Sequence, residues 1–153
     1  MQLRRRITLP PQALLLCRIF GFCIFAVAFL LPACKDTSPG FSSIEVYPGW
    51  RCAWITLGAL GDKETYQSWD SLAAVSGLIN PLIVAYLGFT FVPRLVLLRR
   101  ILGISTVVCM VATWVFFWMA HLIPLIGHFL WIAGALLILL PEVTNPRTTP
   151  SST

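Results

Sequence analysis

Residues 101–140 read ILGISTVVCMVATWVFFWMAHLIPLIGHFLWIAGALLILL, forty positions without one Asp, Glu, Lys or Arg. The titratable side chains in the stretch are Cys109, His121 and His128. A soluble domain has no use for such a run. A bilayer requires one, because a charged side chain at the centre of a spanning helix costs about 2.5–3.5 kcal/mol or more. At about 20 residues per crossing the run holds two spans, 101–120 and 124–140. Residues 121–127, with Pro124 inside, read as the tight turn between them. Pro141 reads as the stop of the second.

Outward from this stretch the chain alternates between apolar runs and short polar links. Residues 71–93 are apolar and long enough for another crossing. Residues 13–33 form the first, although Arg18 interrupts them. Arg18 lies five residues inside the start, so its stem can reach back to the near headgroups. Between these two, Lys35 to Gly49 is rich in turn residues, and 50–61 is apolar but too short to cross. Trp50 and Trp54 suit a helix lying in the headgroup region. The expectation is one all-α membrane domain over 13–141, with four transmembrane helices and a short interfacial helix in the first outer loop. A basic head, 1–12, precedes it, and a proline- and threonine-rich tail, 142–153, reads as disordered.

The basic residues orient the bundle. With the N-terminus inside, Arg4, Arg5, Arg6, Arg94, Arg99, Arg100 and Arg147 are cytoplasmic, seven against the three of Lys35, Arg51 and Lys63 outside. Lys and Arg favour the cytoplasmic side, so both termini are expected there. The same clustering disposes of nucleic-acid binding. The net charge of +5 comes from orientation signals at the ends of apolar runs and forms no basic face. The lipid bilayer is the expected partner, with a second copy of the chain or another membrane protein beside it.

Chemistry-bearing residues are few. Asn80-Pro81 sits near the middle of the 71–93 span. Pro81 lacks an N–H and crowds the carbonyl at Gly77, so the helix should kink, and Asn80 must find partners in a dry environment. That pattern serves either as interhelical glue or as a ligand or ion site at a broken helix. Ala73, Ser76 and Gly77 give this helix a small face for close packing. Cys34 and Cys52 both fall outside under this topology, and if that side is a bacterial periplasm oxidation is expected. A bond between them closes 17 residues and is worth about 3 kcal/mol. Free thiols and a redox pair remain alternatives. Leu31-Pro32-Ala33-Cys34 also approaches a lipoprotein cleavage box, with lipidation of Cys34 as its consequence. Cys17, Cys23 and Cys109 read as apolar packing residues. His121 and His128 flank Pro124 and could take a metal or a haem, at a spacing diagnostic of neither. Trp114, Phe117, Trp118 and His121 recur on one helical face, as an aromatic belt or a ligand cage. No Walker loop, Rossmann glycine pattern, nucleophile elbow or His-Glu-x-x-His occurs, and no carboxylate lies inside a span.

Several short motifs recur in the order found in a group of small four-span bacterial inner-membrane proteins, which the chain resembles. They are Phe29-Leu30-Leu31-Pro32-Ala33, Tyr47-Pro48-Gly49-Trp50 and Ile79-Asn80-Pro81-Leu82. His128-Phe129-Leu130-Trp131-Ile132-Ala133 follows the group's Tyr-x-Trp-x-Ala-Ser opening of the last helix, with His and Phe as departures. The resemblance implies the four-span architecture and a bacterial inner-membrane location. It carries no activity, cofactor or site residue. The first expectation for function is therefore a non-enzymatic accessory or partner-binding subunit without a cofactor. The second is a small oligomeric channel or transporter using the Asn80-Pro81 kink. The third is an envelope thiol-disulfide or quinone-linked redox protein using Cys34 and Cys52.

Overall fold

Pro10 is extended (φ −63°, ψ 150°) and Pro11 takes the first helical position, where its missing N–H would have had no partner in any case. The first helix thus starts two residues earlier than the apolar run. The computed structural model describes residues 10–37, 45–59, 70–92 and 94–144. In chain order the elements are α1 (Pro11–Ala28), β1 (Pro32–Asp36), β2 (Val46–Pro48), α2 (Gly49–Gly58), α3 (Asp70–Gly77), α4 (Ile79–Thr90), α5 (Val96–Met119), β3 (Leu122–Pro124) and α6 (Ile126–Thr144). The chain is mostly helical. Two stretches, Ser71–Thr90 and Val96–Met119, are long and apolar enough to cross a membrane, and Gln12–Ala28 and Ile126–Pro141 are shorter apolar helices.

The expected 71–93 helix is broken. Leu78 separates α3 from α4, its N–H donating to Val75 O at 3.2 Å in a tightened turn, while Leu82 N–H resumes the α pattern onto Leu78 O at 3.0 Å. The break falls where Pro81 acts, since the carbonyl it cannot serve belongs to Gly77. Two other boundaries also need correction. α5 begins at Val96, so Arg99 and Arg100 lie inside its first turns and Arg99 is 5% exposed. Arg is a good helix former, and a basic residue marks the side of the membrane without marking where the helix begins. α6 runs through Pro141 to Thr144, so three residues of the expected disordered tail are helical. Pro141 forgoes one backbone bond, to Leu137 O, and the chain then continues for a single turn. Residues 145–153 and the head, 1–9, lie outside the described residues.

The larger correction is to the all-α expectation. β1 is the centre of a three-stranded antiparallel sheet, ordered β2-β1-β3. Cys34 pairs with Tyr47 on one side and with Pro124 on the other. Residues 122–124, expected as part of a turn, supply the third strand. Pro48 and Pro124 lie on edge strands, which tolerate a missing N–H.

The sheet caps one end of the bundle. It collects the end of α1, the end of α5 and the start of α6, while Arg94, Arg99 and Arg100 lie at the other end of α5. α1 and α6 meet backbone to backbone. A Cβ on Gly134 would sit 2.7 Å from Gly21 O and 2.7 Å from Phe25 N, and a Cβ on Gly21 would sit 2.9 Å from Gly134 O. The main core follows from this crossing and holds Phe25, Ile79, Ile83, Tyr86, Met110 and Ile138. A smaller cluster of Cys34, Ala73, Phe116 and Phe117 lies under the cap.

Candidate functional site

The start of α2 fastens the cap to the bundle. A helix leaves its first N–H groups and its last carbonyls without partners. Here the two sets meet. Gly49 N–H donates to Leu31 O at 3.0 Å and Trp50 N–H to Phe29 O at 2.9 Å, both carbonyls just beyond α1. The approach is close enough that a Cβ on Gly49 would lie 2.5 Å from Ala28 O. At the other end of α2, Gly77 of α3 lies against Thr56, where a Cβ would come within 2.8 Å of the backbone. The small face of Ala73, Ser76 and Gly77 is buried, as its pattern required.

This placement brings Cys52, in the first turn of α2, to Cys34 in the central strand. The two sulfurs lie 3.3 Å apart, and both cysteines are free thiols in this structure. Cys34 is buried at 3% exposure, and Cys52 is half-buried. Their acidities diverge. The hydrogen bond with Cys34 lowers the pKa of Cys52, helped by the backbone N–H and the Arg51 charge and opposed by burial. The same hydrogen bond raises Cys34, and burial adds to the rise. A thiolate is the nucleophile in disulfide chemistry, and Cys52 is the member of the pair whose acidity is favoured and which lines the cleft beneath the cap. Either sulfur can donate the hydrogen bond between them. Nearby, the Tyr47 hydroxyl donates to the Glu45 carboxylate, which holds the phenol up to about 12. The Arg51 guanidinium stands 5.0 Å over the Tyr47 ring. Cys109 is buried as expected, whereas Cys17 is half-buried and Cys23 is exposed.

A cleft of about 480 Å³, counted with its open mouth, runs beneath the cap, and Cys52, Asn80, Phe117, His128 and Trp131 line it. Asn80 is tied across the bundle, its Oδ1 accepting from Trp131 Nε1 of α6 at 3.0 Å. It therefore faces neighbouring helices, and its amide nitrogen makes no hydrogen bond among the described residues. Pro81 itself is exposed. Ser76 and Thr113, also on the cleft, donate to carbonyls of their own helices, Ala73 O at 2.7 Å and Cys109 O at 2.9 Å.

The two histidines part company. His121 is exposed on the turn after α5, with φ 52°, and its carbonyl accepts from Thr37. His128 is 4% exposed and lines the cleft, its Nε2 buried without a hydrogen-bond partner. Its ring lies 4.6 Å from Phe117 and 5.7 Å from Trp131, with Trp114 edge-on at 5.3 Å. The two histidines thus sit in different surroundings, and among the described residues no group of three or more His, Cys, Asp or Glu could hold a metal ion. The aromatic face of α5 also divides. Phe117 is buried against His128, while Trp118 is 80% exposed. The sequence offered no sign of Trp131 as the partner of Asn80. The spacing of three between His128 and Trp131 was the available clue, since it puts both on one helical face.

Compared with known proteins, the chain matches no family model, and no curated protein and no solved structure is significantly similar to it.

Proposed function

We propose that this chain is a multi-pass membrane protein in which Cys34 and Cys52 act as a thiol–disulfide couple at the outer face of the bilayer. The observation that carries the reading is the asymmetric pair. Two sulfurs stand 3.3 Å apart, one sealed in the cap and the other on a cleft. A purely structural bond needs neither the cleft nor a stabilised thiolate. Stabilising the thiolate favours the reduced form and so makes a disulfide more oxidising.

Four spans are part of the proposal. α1 and α6, at 18 and 19 residues, reach about 27–29 Å, near the hydrocarbon thickness. The cap gathers α1, α5 and α6 at one end, and Arg94, Arg99 and Arg100 are at the other, which agrees with the seven-to-three count of basic residues. α2 is the short interfacial helix, carrying exposed Trp50 and Trp54. The bacterial inner membrane rests on the resemblance of the short motifs. Tying Asn80 to Trp131 within one chain favours glue over an oligomeric pore.

The test is a redox titration of the full chain in detergent, following Cys34 and Cys52 with a mass-tagged maleimide. A reversible two-electron transition is expected, with a midpoint above about −300 mV, since structural disulfides lie below that value. A lower midpoint would make the bond a staple. A mature chain beginning at an acylated Cys34, seen by mass spectrometry, would overturn the reading outright.

A further inference from the structure

We propose that the cleft beneath the cap binds a quinone ring and that the Cys34–Cys52 dithiol reduces it. The inference rests on the thiol–disulfide reading above and adds the electron acceptor.

The lining sets the chemistry of the ligand. Cys52, Asn80, Phe117, His128 and Trp131 share one cleft. Phe117 and Trp131, both in ring contact with His128, give it aromatic walls. Among the described residues no Lys, Arg, Asp or Glu lines it, so a charged ligand would find no counter-ion among them. Yet two polar groups are left over. His128 is 4% exposed and its Nε2 has no partner. The Asn80 amide nitrogen makes no hydrogen bond among the described residues, since the Trp131 bond uses only Oδ1. A buried polar atom left unpaired is costly, so His128 Nε2 favours a ligand that satisfies it, and the half-buried Asn80 amide offers a second contact. A neutral, flat, apolar ring with oxygen acceptors has that form.

The sulfur pair narrows the ring to a quinone. Cys52 lines the cleft, and Cys34 stands 3.3 Å away in the cap. When two thiols become a disulfide, one S–S bond forms, two S–H bonds break, and two electrons and two protons leave. The acceptor must take all four. A quinone does so, its two carbonyls becoming the two hydroxyls of a hydroquinone, and it dissolves in a bilayer.

The experiment uses reduced full-length protein in nanodiscs with decylubiquinone. Its ring is fully substituted, so exposed Cys23 cannot add to it irreversibly. One hydroquinone per chain is expected, together with loss of two thiols and a 34–52 bond on peptide mapping. Asn80→Leu and His128→Leu should each weaken quinone binding about tenfold, the size of one lost hydrogen bond to a ligand. Diamide, a soluble oxidant, should still close the 34–52 bond in both variants. His128→Asn, which keeps a donor, should retain more affinity than His128→Leu. If wild-type protein reduces no quinone while diamide closes the bond, the quinone site is wrong and the thiol couple stands. If diamide cannot close the bond in wild-type protein, both readings fall.

Discussion

The Cys34 thiol governs the chemistry of its neighbour. Its hydrogen bond is the largest influence lowering the pKa of Cys52, and burial is the main influence opposing it. Removing that thiol leaves the opposition in place, so Cys34→Ala should raise the pKa of Cys52. Alkylation consumes the thiolate. The pH profile of Cys52 alkylation, read by mass spectrometry at that site, should therefore move to higher pH in the variant, and coincident profiles would refute the assignment. The two cysteines were legible in the sequence because both fall outside the long apolar runs. Asn80 was legible because an amide in an apolar run must find a partner. Its partner was not, since Trp131 lies 51 positions away and nothing local marks it. The seat of His128 was equally hidden, because burial among aromatic rings depends on how α5 meets α6.

Among the elements, the α1–α6 crossing makes the sharpest claim. Gly→Ala in a helix ordinarily stabilises by about 0.5–1 kcal/mol. At Gly134 the added carbon would stand 2.7 Å from backbone atoms of Gly21 and Phe25, which cannot turn aside as a flexible side chain could. Gly134→Ala should therefore destabilise, by about 1–3 kcal/mol, as overpacking does. Gly88→Ala on α4, with nothing within 4 Å, is the control and should be neutral or stabilising. Thermal unfolding in detergent checks both, and a stabilised Gly134→Ala would show that the helices do not touch there. The helices themselves were readable from apolar length, and the break at Leu78 from Pro81 acting four residues back. Their ends were less so, because Pro11, Arg99 and Pro141 are all compatible with helix at the positions they occupy. The strands were not readable at all. β1 and β3 are short, carry no apolar alternation, and exist only by pairing with segments far along the chain.

For the whole molecule, the prediction is its orientation. Reporter fusions at Gly40, Arg99 and Thr149 should give phosphatase activity at Gly40 alone, following the seven-to-three basic bias. Activity at Arg99 or Thr149 would show the bundle inverted or a span miscounted. The central position of β1 also fixes an order of events during synthesis. Its partner β2 and the Cys52 helix follow within about twenty residues, but β3 lies some 85 residues further on. From Cys52 to the start of β3 at Leu122 is 70 residues, which a ribosome covers in roughly 3.5–14 s at about 5–20 residues per second. For that interval the nascent chain has one bare edge of β1, outside the membrane in the proposed orientation, while both sulfurs have already been delivered. An oxidant on that side would meet them first. A bond formed then would precede the sheet that encloses it, and a chain released after α5 would carry that bond without the completed cap.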